Sequence, residues 1–403
     1  MFLVGIHEQT RELLERLCFL LSIYKYWLSM RIAIHASAAR SLINFRGALV
    51  KALRDAGLEV HAIAPELSTD EATRRQLEAW GVIMHDVAMQ RAGTNPLNDM
   101  RTLHSFYRLF RKIQPDAVLG YTVKPVIYGT LAARLAGVPK RYALITGLGY
   151  AFTGEAQGKR GLVLRLVRGL YRVALKRAEL VFFQNPDDEA LFRELELIAP
   201  GVHTKVVNGS GIDTCSFSIA PLHSEMPTFL LIARLIGDKG VREYVAAAAR
   251  IRARYPEAIF RLVGDIDANP DSITSHELDG WVKAGHIDYL PRLDDVRPII
   301  ANTCVYVLPS YREGTPRTIL EAMSMGRAIV TTDAPGCRET VIDGHNGFMV
   351  PTRSVDALVS ALEKFICDPE LMHHMGRRSR EIAVEKYDVH KVNAVMLREM
   401  GIL

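Results

Sequence analysis

Residues 305–332 read VYVLPSYREGTPRTILEAMSMGRAIVTT, and this stretch decides the fold class. The short apolar run Val305–Leu308 predicts a buried strand, and Ala328–Thr332 predicts a second one. Between them a helix is expected to begin near Pro316. A strand, a turn, a helix and another strand in this order predict a parallel βαβ unit.

The same alternation continues in both directions from this unit. A helix is expected at Phe45–Ala56, another at Val241–Arg254 and a last one at Val389–Met400. Repeated βαβ units predict an α/β protein built on doubly wound parallel sheets. The further predicted strands are Arg31–Ser37, Glu59–Ala64, Val82–Val87, Ala117–Gly120, Arg141–Ile145, Leu180–Gln184, Phe229–Ala233, Ile259–Gly264 and Ile287–Leu290.

A polar, turn-rich segment at 213–227 separates two series of strands and predicts a linker. We therefore expect two Rossmann-like domains facing across a cleft, at 30–212 and 228–380. An extension at 1–29 precedes them, and the helical segment 381–403 is expected to cross back to the first domain. Ligands of open α/β sheets bind beyond the carboxyl ends of the strands, so the chemistry is expected in the loops that face the cleft.

Composition is that of a folded globular protein, with 49% hydrophobic and 24% charged residues among 403. This excludes wholesale disorder and a multi-span membrane protein. Residues 1–210 carry 28 Lys and Arg against 19 Asp and Glu, whereas the remainder carries 22 against 26. A basic half suggests an anionic partner, such as a phosphate, a nucleic acid or a membrane face. The five cysteines lack metal-ligand spacing, which favours free thiols in a reducing cytoplasm.

The first 29 residues allow two interpretations. The apolar run Leu17–Tyr24 is too short to span a bilayer, and charged residues precede it in a way that signal peptides do not show. The segment is either an amphipathic surface helix with interfacial aromatic residues or the product of an upstream start, with Met30 as the true initiator.

The pair Glu313 and Glu321 is the first candidate for chemistry. Glu313 lies at the exit of a predicted strand, and Glu321 lies two turns inside the following helix. Gly314 and Thr315 leave backbone N–H groups free at the helix start, where an anion such as a diphosphate could bind. The structural alternative is that Glu313 only caps the helix and that Glu321 is only a charge on the helix surface.

Arg234 and Lys239, in the run ARLIGDKG, are the second candidate. Two cations where a strand passes into a helix could clamp a diphosphate and neutralise its charge as it departs. The alternative is a pair of solvated surface cations.

The ordered string from Ser310 to Pro351 resembles the retaining glycosyltransferases of family 4, which have the GT-B fold. Three further motifs are similar to bacterial members that add a hexose or an N-acetylhexosamine to an undecaprenyl-diphosphate-linked sugar. These are NFRG from Asn44, RAGTNPLND from Arg91 and YTVKPVIYG from Tyr121. The resemblance covers about residues 31–390.

This resemblance implies front-face transfer from a UDP-sugar with no protein nucleophile, no metal and no cofactor. It implies that Arg234 and Lys239 hold the diphosphate, that Glu313 binds the sugar hydroxyls and that Glu321 accepts from the ribose. The Asp265-Ile266-Asp267 sequence has the spacing of a metal site, but in this fold that loop borders the nucleoside. The implied donor-binding residues are Arg234, Lys239, Gly264, Asp265, Glu313, Gly314, Thr315, Pro316 and Glu321.

Acceptor contacts are expected from the first domain. Asn44 and Arg46 are expected to open a helix, where they either meet an acceptor diphosphate or cap the helix. Lys124 is expected to face the cleft as a positive charge, and the loop containing Thr146 and Gly147 allows close approach to a ligand, unless it is a plain tight turn.

The basic amphipathic helix expected at Lys159–Arg177 indicates contact with an anionic membrane surface, and its alternative is a solvated domain helix. A lipid-linked saccharide acceptor requires such contact, so we expect a cytoplasmic protein, peripheral on the inner face of the plasma membrane. Nucleic-acid binding lacks a recognition motif. The alternatives to a transferase are a GT-B sugar-nucleotide epimerase, which the EGTP motif disfavours, and a non-catalytic relative.

Overall fold

The computed structural model describes residues 30–90, 95–148, 158–222, 227–267, 269 and 271–403. The predicted 1–29 extension lies outside these residues. Strands of the described chain form two parallel sheets, and we call the parts that contain them the first and the second domain.

The first domain is built on a seven-stranded sheet with the order β3-β2-β1-β4-β5-β6-β7. All of its strand pairs are parallel, and each parallel pair requires a crossover connection between its strands. Its strands are β1 (Arg31–His35), β2 (Glu59–Ala64), β3 (Ile83–Asp86), β4 (Ala117–Tyr121), β5 (Lys140–Ile145), β6 (Leu180–Phe183) and β7 (His203–Val206).

The second domain has a six-stranded parallel sheet with the order β10-β9-β8-β11-β12-β13. In both sheets the strand order reverses beside the first strand, and that reversal is where doubly wound folds bind ligands. The strands of the second domain are β8 (Thr228–Ile232), β9 (Ile259–Val263), β10 (Asp288–Leu290), β11 (Val305–Leu308), β12 (Ala328–Thr332) and β13 (Gly347–Val350).

Helices cover both faces of each sheet, as buried parallel strands require. Those of the first domain are α1 (Ala39–Asn44), α2 (Gly47–Asp55), α3 (Glu71–Ala79), α4 (Pro96–Ile113), α5 (Thr130–Ala136), α6 (Gly158–Leu175) and α7 (Pro186–Glu194). The later helices are α8 (Val241–Arg254), α9 (Ser275–Lys283), α10 (Arg297–Ala301), α11 (Arg317–Ser324), α12 (Val355–Cys367), α13 (Glu370–Lys386) and α14 (Val389–Glu399).

Successive side chains of β1 pack into two different hydrophobic cores, one on each face of the first-domain sheet. Ile32 and Ile34 pack into the core that includes α2 and α14, whereas Ala33 packs on the opposite face with Phe106 of α4 and Ala132 of α5. Successive side chains of a strand point to opposite faces, so one short apolar run serves both layers.

The last helix, α14, packs against the first domain. Met396 is buried in the core beneath β1, and the Tyr142 hydroxyl donates to the Met400 carbonyl at 3.0 Å. Where the chain crosses back, Ile212 N–H donates to the Tyr387 carbonyl at 2.8 Å and Val389 N–H donates to the Ile212 carbonyl at 3.0 Å. The two connections between the domains therefore run side by side.

One helix prediction is wrong in its bounds. The predicted Phe45–Ala56 helix corresponds to α2, which starts only at Gly47, and a separate helix, α1, ends just before it at Asn44. Arg46 has non-helical angles of φ −128° and ψ 1°, which interrupt the helix. Asn44 thus closes one helix rather than opening another, and Arg46 lies at the corner between them. Within the described segments, no helix is both long enough and apolar enough to cross a bilayer.

Candidate active site

A cleft of about 1610 Å³ lies between the two domains, beyond the carboxyl ends of their strands. Its walls come from the loops after β1, β4 and β5 on one side and from the loops after β8, β9 and β11 on the other. The predicted site residues in its lining are Asn44, Arg46, Thr146, Arg234, Lys239, Gly264, Asp265, Glu313, Gly314, Thr315 and Pro316.

Glu313 and Lys239 form the centre of the second-domain wall. The Lys239 ammonium donates to Glu313 Oε1, and the Ser310 hydroxyl donates to the same oxygen at 2.7 Å. Both charged side chains are mostly buried, with 18% and 15% of their surfaces exposed. Partial burial strengthens such a pair and holds both groups in one orientation toward the cleft.

Lys239 reaches this position because the backbone passes very close to β11. Lys239 ends a short 3₁₀ turn, and Gly240 follows with φ +69°. A Cβ at Gly240 would lie 2.1 Å from the Pro309 carbonyl oxygen, so only glycine fits. The run GDKG therefore presses the lysine against the strand exit that carries Glu313.

Arg234 also has a carboxylate partner. Its Nη1 donates to Asp267 Oδ2 at 3.0 Å, and the side chain remains 52% exposed. Asp265, the other carboxylate of this loop, accepts from the Arg292 N–H at 3.0 Å. Both aspartates are thus engaged by the protein itself, and among the described residues no group of three or more His, Cys, Asp or Glu side chains could hold a metal ion.

Gly264 makes the approach of this loop possible. Its φ is +150°, and a Cβ there would lie 1.8 Å from the Ala233 carbonyl oxygen. The loops after β8 and β9 can therefore touch, which brings Arg234 beside Asp267.

Gly314 and Thr315 join the two domains, a feature that sequence reasoning missed. Asn185, at the exit of β6, donates from Nδ2 to the Gly314 carbonyl at 2.8 Å and to the Glu313 carbonyl at 3.2 Å. The Thr315 hydroxyl donates to the Gln184 carbonyl at 2.8 Å. The only available signal was the position of Gln184 and Asn185 at a strand exit, since their partners lie about 130 residues away.

Pro316 is the N-cap of α11. The N–H groups of Ile319 and Leu320 donate to its carbonyl at 3.1 and 3.3 Å. Neither Arg317 N–H nor Thr318 N–H has an acceptor in the described part of the chain, and both residues line the cleft. The start of this helix therefore offers free donors and the positive end of the helix dipole to an anion.

Glu321 does not line the cleft but lies behind Arg317. It is 7% exposed, and its Oε1 accepts from Arg317 Nε at 2.9 Å. Burial raises the pKa of this carboxyl above its usual range, and Arg317 opposes the shift. The structure thus pairs Glu321 with an arginine that lines the cleft.

The first-domain wall contains Asn44, Arg46 and Thr146. Arg46 is 3% exposed, with its Cζ 5.4 Å from the centre of the Tyr121 ring. Burial lowers the pKa of its guanidinium to about 10. Gly147 has φ +110° and lies against the Gly314 backbone rather than in the cleft lining.

The expectation that Lys124 faces the cleft is wrong. Its ammonium donates to Asp99 Oδ1 at 2.8 Å in a largely buried ion pair, and Lys124 is absent from the lining. Asp99, on the first turn of α4, draws the lysine toward that helix and away from the cavity.

A buried ion pair crosses between the domains below the cleft. Arg312, next to Glu313, donates to Asp188 in α7, whose side chain is fully buried. Burial raises the pKa of the Asp188 carboxyl, and the Arg312 charge opposes this rise. Sequence reasoning did not find this pair, because its two residues lie 124 positions apart.

Two parallel-sheet domains with a cleft between them, one wall of which carries cations and the start of a helix, indicate the class of protein, and comparison with known families agrees. Residues 226–368 match the model of glycosyl transferases group 1, and residues 31–185 match glycosyl transferase 4-like domains. The chain is 30% identical over 372 residues to N,N'-diacetylbacillosaminyl-diphospho-undecaprenol alpha-1,3-N-acetylgalactosaminyltransferase of Campylobacter jejuni. That match covers 89% of this chain and 95% of the relative. The chain therefore belongs to the group 1 glycosyltransferases, and the predicted resemblance is confirmed.

A second relative is UDP-Gal:alpha-D-GlcNAc-diphosphoundecaprenol alpha-1,3-galactosyltransferase of Escherichia coli, 28% identical over 73% of this chain and 77% of its own. Among solved structures, sucrose-phosphate synthase from Thermosynechococcus elongatus aligns with TM-score 0.76 and 18% identity, over 92% of this chain and 98% of its own. HepE from Anabaena in complex with UDP aligns with TM-score 0.72 and 19% identity, over 93% of this chain and 100% of its own. The predicted GT-B fold is confirmed.

Proposed function

We propose that the protein is a retaining glycosyltransferase that moves a hexose or N-acetylhexosamine from a UDP-sugar to a polyprenyl-diphosphate-linked saccharide. The observation that carries this proposal is the Lys239–Glu313–Ser310 cluster beside the free start of α11. It puts cations, helix-terminal donors and an anchored carboxylate on one wall of a cavity large enough for two substrates.

The donor diphosphate is assigned to Arg234, Lys239 and the first N–H groups of α11. Charge develops on the leaving diphosphate during transfer, and fixed cations and helix dipoles stabilise it without reorganisation. Glu313 is assigned to the donor sugar hydroxyls. Glu321 is assigned to the ribose, which it reaches only if Arg317 moves aside.

The reaction is assigned to front-face displacement. The acceptor hydroxyl attacks the anomeric carbon as the bond to the diphosphate breaks on the same face, and its proton passes to a diphosphate oxygen. The protein contributes positioning and charge stabilisation. Acceptor contacts are assigned to Asn44, Arg46 and Thr146, which line the opposite wall.

The proposed acceptor is supported by the two curated relatives, whose names specify undecaprenol-diphosphate-linked substrates. Both matches extend over most of this chain, so they include the first-domain wall as well as the donor wall. We place the activity in bacterial surface polysaccharide or glycan synthesis, on the cytoplasmic face of the membrane.

A membrane contact on the first domain is part of this proposal. Helices α4, α5 and α6 lie on the face of the sheet opposite α14 and expose Leu97, Met100, Leu135, Leu166 and Val173. A groove of about 930 Å³ along α4 is lined by Leu97 and Met100 together with four side chains that can carry positive charge, Arg101, His104, Arg108 and Lys112.

Exposed apolar side chains beside cations match the interface of an anionic bilayer. The predicted basic face of α6 contributes less than its sequence suggests. Arg172 donates to the Glu196 carbonyl at 2.9 Å and to the Leu195 carbonyl at 3.1 Å, so it caps α7 rather than facing a membrane.

The donor assignment is tested with purified protein and a single UDP-sugar by measuring transfer and UDP release. Lys239→Met and Glu313→Gln are expected to lower kcat at least about 100-fold. The matched control Arg250→Gln, which removes an exposed cation on α8, is expected to keep wild-type rates. Full activity in Lys239→Met would remove the assignment. The anomeric configuration of the product, read by NMR, tests retention.

The membrane contact is tested by sedimentation with phosphatidylglycerol vesicles at low salt. Leu97→Asp with Met100→Asp is expected to reduce binding at least about tenfold, because charges in the interface oppose insertion. Ile342→Asp, at an equally exposed apolar site of the second domain, serves as the control. Equal binding by both variants would refute contact through α4.

A further inference from the structure

Arg46 is a buried cation that has no carbonyl or carboxylate partner in the part of the chain that the structure describes. Its side chain is 97% inaccessible, and Nε has no hydrogen-bond acceptor among the described residues. Its neighbour is the Tyr121 ring, and it lines the interdomain cleft. A buried donor without an acceptor is destabilising, and more so when it is charged, so a structural arginine would have carbonyl or carboxylate partners.

Arg317 faces Arg46 from the other domain. It begins α11, also lines the cleft, and has its Cζ 5.8 Å from the ring centre of Phe45, the residue before Arg46. Burial lowers the pKa of Arg46, and the positive charge of Arg317 contributes in the same direction. Two like charges are thus held near each other across the cavity.

The donor-site cations differ in this respect. Arg234 is paired with Asp267 and Lys239 with Glu313, so their charges are already neutralised within the protein. Arg317 is paired with Glu321, but no carboxylate faces Arg46 among its contacts in the described residues. Among the described cleft-lining residues, the buried cation without a carboxylate partner is therefore on the first-domain side, away from the Arg234–Lys239 wall.

We propose that Arg46 and Arg317 form a second anion subsite, which binds the diphosphate of the lipid-linked acceptor. This rests on the proposed function and deepens it. Guanidinium groups bind phosphate oxygens through paired N–H donors, and one from each domain can neutralise a diphosphate between them. The carrier's diphosphate is then a recognition element in its own right, so the enzyme distinguishes diphosphate-linked sugars from neutral glycosides.

The kinetic test compares two acceptors with the same sugar, a short polyprenyl-diphosphate conjugate and an uncharged alkyl glycoside. Arg46→Gln is expected to lower kcat/KM for the diphosphate acceptor about 10- to 100-fold, the loss of one charge-assisted contact. The loss of kcat/KM should be at least about fivefold smaller for the neutral acceptor, and the KM for the UDP-sugar should change less than about twofold. Arg74→Gln, which removes an exposed cation on α3, is the control. Equal losses with both acceptors, or a raised KM for the UDP-sugar, overturn the subsite.

A binding test separates this subsite from the proposed reaction. With UDP saturating the donor site, titration calorimetry should detect inorganic pyrophosphate binding to the wild type and its loss in Arg46→Gln and Arg317→Gln. If pyrophosphate binds in this way but no sugar is transferred, the subsite stands and the proposed function fails. If sugar is transferred but no pyrophosphate binds, the subsite is wrong.

Thermal unfolding without ligand supplies the third readout. Because Arg46 has no hydrogen-bonding or carboxylate partner among the described residues, Arg46→Gln should keep or raise the Tm. A fall in Tm of several degrees would show that Arg46 serves the fold and would overturn its assignment to a ligand.

Discussion

Replacement of Gly314 by alanine tests the interdomain contact at the cleft. The added Cβ would lie 2.4 Å from the Thr146 carbonyl oxygen and 2.6 Å from Gln184 Oε1. The glutamine side chain can rotate away, but the Thr146 carbonyl belongs to the backbone after β5. Reaching a contact of 3.0 Å requires the two walls to separate by at least about 0.6 Å. Misplacement of this order, up to about 1 Å, can cost about 100-fold in rate.

We therefore expect kcat/KM for transfer to fall about 100-fold in Gly314→Ala, while the affinity for UDP changes less than about threefold. The affinity persists because Arg234 and Lys239 belong to the second domain and move with it. Steady-state transfer kinetics and calorimetry with UDP measure the two quantities. Wild-type transfer rates, or equal loss of UDP binding and transfer, would refute the view that this contact fixes the distance between the two walls of the cleft.

Three further predictions concern stability. Arg312→Ala leaves the fully buried Asp188 carboxylate unpaired and should lower the free energy of unfolding by about 3–5 kcal/mol in urea titrations; an effect below about 1 kcal/mol would contradict the pair's burial. A hydrogen bond from Arg242 and a helix cap hold the pKa of Glu277 at about 2. Glu277→Gln should therefore cost about 1 kcal/mol at pH 7, and the cost should shrink as pH falls from about 4.5 toward 2, because in the wild type the carboxylate of the unfolded chain takes up a proton over this range while that of the folded chain does not; a constant difference across that range would contradict it. Gly280→Ala, inside α9 with open space around the new methyl group, should raise stability by about 0.5–1 kcal/mol in thermal melts, and destabilisation would contradict the open space.

Local patterns of apolar residues gave most strands of the second sheet correctly. The predicted bounds of β11 and β12 and of helix α8 match the structure. The edge strands β7 and β13 were not predicted, because they are four residues long and mostly only partly buried. An edge strand is held by pairing on one side and needs little apolar periodicity, so its sequence carries a weak signal.

The candidate site was predictable where it depends on strand exits and glycines. Glu313, Lys239 and Arg234 line the same wall of the cleft because the loops after β8 and β11 begin at the carboxyl edge of one sheet, which a βαβ pattern implies. Contacts between domains were not predictable. Asn185 and Arg312 acquire their roles from partners more than a hundred residues away, and nothing in a single sequence specifies that pairing.

The sequence alone likewise does not specify whether Lys124 or Arg46 carries a charge that is available to a ligand. In the sequence, both are cations near strand exits of the first domain. Asp99 neutralises Lys124, whereas Arg46 lacks such a partner among the described residues and lines the cleft. Which cation is available to a ligand depends on tertiary neighbours.

The central claim is transfer from a UDP-sugar to a polyprenyl-diphosphate-linked sugar. Its most direct test is mass spectrometry of the acceptor after incubation of the purified protein in detergent with a panel of UDP- and GDP-sugars, with and without EDTA. We expect a gain of one hexose or N-acetylhexosamine from a UDP-sugar, at the same rate with EDTA present. A gain from a GDP-sugar alone, a gain that EDTA abolishes, or no gain with any donor would contradict it.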